Sequence, residues 1–181
     1  MRAPLAVPAY LACLLACGCG ATAAHSQVGS VGQLQVAQLH VTLTVSGAVS
    51  GTATYTTSAS NGAGCSQYAQ GTTNPAQFDI PEGDNKTTID GQVFQIGVVA
   101  DSGWLGPGSY PNLTFSDPED MTIIVDQSSS SEPFQPTPGA TQSLTVNTNG
   151  SGTFTFTNWQ DAGQRSESGT EGWTCQAVFS W

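Results

Sequence analysis

Two acidic clusters are the side chains whose types and spacing come nearest to a metal or catalytic site. They lie in loop-rich stretches and consist of Asp79, Glu82, Asp84 and Asp90, and of Asp117, Glu119 and Asp120. Carboxylates from a compact loop suit calcium, and two carboxyl groups about 5 to 10 Å apart can serve a glycosidase as acid and base. Neither cluster matches the EF-hand pattern. Asp and Asn before Gly or Pro commonly stabilise turns. A structural role in turns is therefore the alternative to calcium binding for these residues.

Three aromatic residues are the candidates for ligand binding. Trp104 and Tyr110 flank the loop at 105–108, and Trp159 continues the series Thr153, Thr155 and Thr157. That alternation predicts that Trp159 projects from the outer face or the end of its strand. Exposed planar rings can stack on the apolar face of a sugar, whereas packing in the core or a loop is the alternative. The sequence therefore offers a carbohydrate or other small ligand as a hypothesis.

The histidines do not complete a catalytic relay. His25 lies in a stretch rich in Gly and Ala, and His40 alternates outward on a predicted strand. The sequence contains no Gly-x-Ser-x-Gly turn, no His-Glu-x-x-His pair and no phosphate-binding Gly-x-x-x-x-Gly-Lys loop. We therefore assign no catalytic residue and no cofactor, and a secreted hydrolase remains only a third hypothesis.

The N-terminal segment predicts export. Arg2 precedes an apolar stretch that is too short, and too interrupted by proline, to span a bilayer. Its end, Leu14-Leu15-Ala16-Cys17-Gly18, resembles the lipobox of bacterial lipoproteins. This resemblance implies that residues 1–16 are removed and that the sulfur of Cys17 carries lipid, including palmitate, which anchors the protein in the cell envelope. An ordinary secretory signal, cut near Ala23 or Ala24, is the alternative.

Length and charge limit the partners. Residues 17–33 are predicted to be a flexible tether, and residues 34–181 are long enough for a single domain. The chain has 3 strong cations against 13 acidic residues, which gives a formal net charge of −10. Nucleic acid and anionic headgroups require clustered Lys and Arg. We therefore expect no nucleic-acid partner. In addition to the bilayer that holds the acyl chains, we expect partners that are neutral, cationic or metal ions.

Cysteine usage predicts a disulfide. Of the 5 cysteines, only Cys65 and Cys175 lie inside the predicted domain. Outside the cytosol they should be joined, which would stabilise the fold by about 4 to 5 kcal/mol in the chain-entropy model. Two buried free thiols are the alternative, and Cys19, within the tether, is left over.

Period-two alternation recurs along the domain and predicts strands with one buried face. The apolar residues of each such strand are Leu39, Val41, Leu43 and Val45; Phe94, Ile96, Val98 and Ala100; Met121, Ile123 and Val125; Phe154 and Phe156; and Trp173, Cys175, Ala177, Phe179 and Trp181. No segment shows a convincing helical stripe. We predict an antiparallel β-sandwich, immunoglobulin-like or similar, with a closed β-barrel as the alternative.

One hairpin permits a prediction of register. If its loop has odd length, Leu144, Val146, Phe154 and Phe156 share a face. We expect a loop of three or five residues that contains Gly150 and Gly152, with Val146 opposite Phe154 and Leu144 opposite Phe156.

The order of features resembles the mycobacterial lipoprotein antigen family. The features are an acylated N-terminus, a polar tether, a first strand rich in Gly and Val, Cys65 soon after it, and a closing strand with Thr174-Cys175. The resemblance implies a surface-anchored sandwich, with no settled biochemical activity. We therefore expect a non-enzymatic lipoprotein that faces the extracytoplasmic side of a membrane and has a structural or interaction role, with a glycan or an envelope protein as partner.

Overall fold

The structure, a computed structural model, describes residues 35–59, 64–73, 76–81, 87–100, 104–113, 121–126 and 133–179. Gln33–Trp181 form a compact unit of their own. In chain order the elements are β1 (Gln35–Gly47), β2 (Gly51–Ser58), α1 (Cys65–Tyr68), β3 (Thr72–Thr73), β4 (Ala76–Asp79), β5 (Thr88–Ile89), β6 (Gln92–Ala100), β7 (Gly108–Tyr110), β8 (Met121–Asp126), β9 (Thr141–Val146), β10 (Gly152–Gln160) and β11 (Ser166–Phe179).

These strands form two antiparallel sheets. The first has six strands in the order β2-β1-β11-β10-β9-β7, and the second has five, in the order β3-β4-β6-β5 with β8 paired to β6. The sheets do not close into a barrel, so the predicted sandwich-like, all-β fold is confirmed and the barrel alternative is wrong. The longest ladder joins β1 to β11 over thirteen residue pairs, from Gln35 opposite Phe179 to Gly47 opposite Glu167.

The core lies between the sheets and includes residues that the alternation predicted to face inward. Leu39, Val41, Leu43 and Val45 are buried along β1, as are Phe154 and Phe156 on β10. The two sheets meet where the ring of Phe78 on β4 stacks on that of Trp173 on β11, with centroids 6.1 Å apart. On β11 the prediction fails at Ala177, which is exposed although it shares the face of Trp173.

The backbone register pairs β6 with β8, two strands for which the sequence predicted alternating apolar residues. Phe94 lies opposite Val125, and Ile96 lies opposite Ile123. Residues that are directly opposed in an antiparallel pair lie on the same side of the sheet. The alternating apolar residues of β6 and β8 therefore share one face.

The β9–β10 hairpin has an odd-length loop, as predicted, but different partners. Val146 lies opposite Gly152 and Leu144 opposite Phe154, so the loop is the five residues Asn147–Ser151. The predicted pairs Val146–Phe154 and Leu144–Phe156 are therefore wrong by two residues. A Cβ at Gly152 would overlap the indole of Trp173, so a glycine is required at this end of the strand.

The disulfide between Cys65 and Cys175 is confirmed. It joins α1 to β11, with the two Cα atoms 5.8 Å apart and 110 residues of sequence separation. The Sγ of Cys175 would lie 3.2 Å from a Cβ at Gly150, whose φ of +83° also favours glycine. The β9–β10 loop therefore packs directly against the disulfide.

An ion pair between Asp161 and Arg165 closes the turn between β10 and β11. The carboxylate of Asp161 accepts hydrogen bonds from the backbone N–H and the side chain of Arg165. Its side chain is 2% exposed, whereas that of Arg165 is 64% exposed. Burial acts to raise the pKa of Asp161, but the hydrogen bonds from Arg165 outweigh it and hold the pKa below its ordinary value.

Candidate functional site

The outer face of the six-stranded sheet carries hydroxyl side chains in register across its strands. We call this surface the threonine face. One row crosses all six strands and contains Thr54, Thr42, Gly172, Thr153, Thr145 and Ser109. The next row contains Thr52, Thr44, Thr170, Thr155 and Ser143. None of the side chains in these rows is charged, although the chain carries 13 acidic residues.

Gly172 interrupts this array and leaves a groove. It lies between Thr42 on β1 and Thr153 on β10, and a Cβ placed on it would meet no atom within 4 Å. The groove has a volume of about 650 Å³. The described residues that line it, none of them Asp, Glu, Lys or Arg, are His40, Val41, Thr42, Thr54, Tyr55, Thr56, Gly152, Thr153, Gly172, Trp173 and Thr174.

The imidazole of His40 stands at the side of this groove. Its Nδ1 lies 3.1 Å from the hydroxyl of Thr56, and its Nε2 lies 3.4 Å from Oε1 of Gln176. Both contacts join neighbouring strands, so the ring is held across β2, β1 and β11. The groove therefore offers hydroxyl groups for hydrogen bonding, beside an imidazole whose two ring nitrogens already contact neighbouring strands.

Beneath the groove, Glu171 points to the interior from the opposite face of β11. The side chain is fully buried, and the phenol of Tyr55 lies 3.0 Å from its Oε1. The same phenol donates to the carbonyl of Pro81 at 3.1 Å, and the Oε2 of Glu171 has no hydrogen-bond partner. Burial raises the pKa of Glu171 to about 8.

The proton count at this pair agrees with a neutral Glu171. A phenol has one proton to donate, yet its oxygen lies within hydrogen-bonding distance of Pro81 O and Glu171 Oε1. A protonated Glu171 donates to the phenol oxygen of Tyr55, which then donates to Pro81. When Glu171 is ionised, the phenol instead donates to Oε1 of the carboxylate, and this hydrogen bond acts to lower the pKa of Glu171 against the larger effect of burial. Tyr68 lies close enough for the negative charge of Glu171 to raise its pKa, after the larger effect of its own burial.

Glu167 is a second buried carboxyl on the inner face of β11. It is fully buried, its Oε2 accepts a hydrogen bond of 2.9 Å from the backbone N–H of Val49, and its Oε1 has no partner. Burial raises its pKa above the ordinary value. The sequence interpretation missed both glutamates. The available signal was the alternation itself, since Glu171 and Glu167 fall in step with Trp173 and Cys175.

The structure brings two of the three predicted aromatic residues together. Trp104 stacks on Tyr110 with ring centroids 5.1 Å apart, and it also stacks on Phe78 with centroids 4.7 Å apart. Its indole N–H donates to the carbonyl of Gln70 at 2.8 Å. Trp104 is only 5% exposed, so its ring offers no open platform for a sugar.

The prediction that Trp159 projects outward is wrong. The residue is 0% exposed and packs against Phe156 with ring centroids 5.0 Å apart. The cause is a register shift between Phe156 and Trp159, where Asn158 has a φ of +57°. The extra residue in β10 reverses which side chains point inward, so Trp159 lies on the inner face. Trp159 therefore packs among the rings of the core and not beside Trp104.

The acidic clusters are described only in part. Asp90 lies with Gly91 in the two-residue turn between β5 and β6, and both have positive φ, so its position serves the turn. The carboxylate of Asp79 accepts a hydrogen bond from Gln77. Within the described ranges, no group of three or more His, Cys, Asp or Glu side chains could hold a metal ion. The predicted lipidation site at Cys17 and the predicted acidic candidates Glu82, Asp84, Asp117, Glu119 and Asp120 lie outside the described residues.

Comparisons with known proteins add no relative. The chain matches no protein-family model, no curated protein and no solved structure at a significant level. Among the described residues, no helix has the length and hydrophobicity to cross a membrane.

Proposed function

We propose that this protein is an exported bacterial lipoprotein, anchored in the envelope through Cys17, whose β-sandwich domain has a non-enzymatic interaction role. The threonine face is the interaction surface. The observation that carries this role is the row of uncharged side chains that crosses all six strands, from Thr54 to Ser109, on a chain of net charge −10.

The disulfide supports the envelope location. Disulfides persist in oxidising compartments outside the cytosol and are rare inside it. The bond between Cys65 and Cys175 closes a separation of 110 residues, and it agrees with the lipobox-like segment that ends at Cys17. The resemblance of the feature order to the mycobacterial lipoprotein antigen family points to the same location.

Acyl labelling tests the anchor. Cells that express the full chain are grown with radiolabelled palmitate, and the label on the protein is compared with its partition into membranes. We expect Cys17→Ala to remove the label, whereas the neighbouring Cys19→Ala keeps it. A Cys17→Ala protein that still carries label and still partitions into membranes contradicts the proposal.

Sedimentation tests the interaction role. The purified protein is mixed with envelopes from which lipid has been extracted with detergent, so that acyl chains contribute nothing to binding. We expect the wild type to sediment with the envelopes, and Gly172→Phe, which fills the groove, to remain in solution. Equal sedimentation of both proteins, or of neither, rules out the threonine face as the interaction surface.

A further inference from the structure

We propose that the groove over Gly172 binds a neutral polysaccharide chain, an inference that rests on the interaction role of the threonine face. The groove crosses β2, β1, β11 and β10, which corresponds to about 14 Å at the usual spacing of neighbouring strands. It is open along the surface, so a polymer can pass through it without threading an end.

Charge selects the class of ligand. The described lining of the groove has no charged side chain, while the chain as a whole carries a net charge of −10. An anionic polymer is repelled by this field, and a cationic one finds no carboxylate in the groove to pair with. An uncharged ligand that is rich in hydrogen-bonding groups fits the lining.

The chemistry of the lining matches sugar hydroxyl groups. Each threonine hydroxyl can donate one hydrogen bond and accept others, and the threonine methyl can contact the C–H groups of a sugar ring. Thr42, Thr54 and Thr153 are exposed around Gly172. Threonine has a stiff χ1, so ordering these side chains costs little entropy on binding.

The same lining argues against a protein partner at this position. Protein interfaces are enriched in aromatic residues, Met and Arg at their centres. The aromatic residues of the groove turn away from it, since the Tyr55 phenol reaches Glu171 and the Trp173 indole donates to Gly150 O. Among the described lining residues, backbone and threonine hydroxyl groups are therefore the groups that face a ligand.

Affinity electrophoresis in native gels tests the proposal. The full chain, purified in a polyoxyethylene detergent that has no sugar headgroup, is run through gels with mannan, dextran or arabinogalactan, and through gels with polygalacturonate or chitosan as charged probes. We expect at least one neutral polysaccharide to retard the wild type. Gly172→Phe should weaken that binding at least tenfold, whereas Thr157→Val, on the same face but outside the groove, should leave it unchanged.

A second variant guards against misfolding of Gly172→Phe. The double variant Thr42→Val and Thr153→Val removes two hydroxyl groups with little change of volume, and we expect it to weaken binding at least fivefold. The proposal is overturned if no neutral polysaccharide retards the wild type, if only a charged probe does, or if both variants bind like the wild type. If the protein then still sediments with envelopes and Gly172→Phe still abolishes this sedimentation, the proposed interaction role is retained and only the polysaccharide proposal is rejected.

Discussion

The phenol oxygen of Tyr55 lies 3.0 Å from a carboxyl oxygen of Glu171 in the interior of the sandwich. The pair joins β2 to β11 across the intervening strand β1. Because Tyr55 also donates to the carbonyl of Pro81, the contact links the first sheet to the segment that follows β4. Because burial raises the pKa of Glu171, we expect this polar pair to make the stability of the domain depend on pH.

Glu171→Gln should remove a pH dependence of folding. Burial raises the folded-state pKa of Glu171 to about 8 from an ordinary 4.5. Between these values the unfolded chain has lost the proton that the folded state keeps, so stability falls as pH rises, by at most about 1.4 kcal/mol per pH unit. Urea unfolding at several pH values should show this decline in the wild type and a flatter profile in the variant. A decline of equal slope in both proteins would refute the assignment.

Tyr55→Phe provides a second measurement of the same pair. The hydrogen bond from Tyr55 acts to lower the pKa of Glu171 against the larger effect of burial. Its removal should therefore raise that pKa further and extend the decline in stability to higher pH. The test is a titration of the Glu171 carboxyl carbon by NMR. A midpoint that moves down in the variant contradicts the hydrogen-bonding scheme.

Loss of the disulfide should lower the free energy of unfolding by about 4 to 5 kcal/mol. The reason is that the bond between Cys65 and Cys175 restricts a loop of 110 residues in the unfolded chain. Urea unfolding of the Cys65→Ala and Cys175→Ala double variant measures the effect, and reduction of the wild type should reproduce it. If dithiothreitol destabilises the double variant as strongly as the wild type, another bond is responsible.

Trp159→Ala should cost about 3 to 5 kcal/mol of stability, and Trp159→Phe should cost much less. Trp159 is fully buried, but its indole N–H has no acceptor. Phenylalanine retains a ring against Phe154 and Phe156 and removes that unpaired donor. Thermal unfolding of both variants provides the comparison. Equal and small losses would show that the ring is not packed in the core.

Two glycines on neighbouring strands should respond oppositely to alanine. At Gly152 a Cβ would overlap the ring of Trp173, whereas at Gly172 it would meet nothing within 4 Å. We expect Gly152→Ala to destabilise by about 1 to 3 kcal/mol, and Gly172→Ala to be neutral or slightly stabilising, since alanine suits a strand better than glycine does. Denaturant midpoints measure both. The reverse order would overturn the register between β10 and β11.

Alternation alone predicted the strands and their buried faces where each strand is regular. It succeeded along β1, where Leu39 to Val45 alternate without interruption, and it predicted that Cys175 points toward a partner. It failed at Trp159, because the shift after Phe156 changes which residues face inward. Such a shift depends on pairing with β11, which a single strand's pattern does not contain.

The candidate site was harder to predict than the fold. The groove at Gly172 exists only because the side chains of Thr42 and Thr153 lie on either side of the glycine. These residues come from distant parts of the chain. The sequence interpretation assigned no role to Glu171 and Glu167, although their places in the alternation of β11 put them on its buried face.

The position of β1 in the sheet determines how the domain would respond to a pulling force. β1 lies between β2 and β11, and the disulfide bonds β11 to the short helix that follows β2. Peeling that starts at Gln35 passes four residue pairs before it reaches Leu39 opposite Cys175. A pulling force on the N-terminal end of the domain would therefore act on β1. The two strands on either side of β1 are connected to each other through α1 and the disulfide, so they would resist separation while β1 is under load.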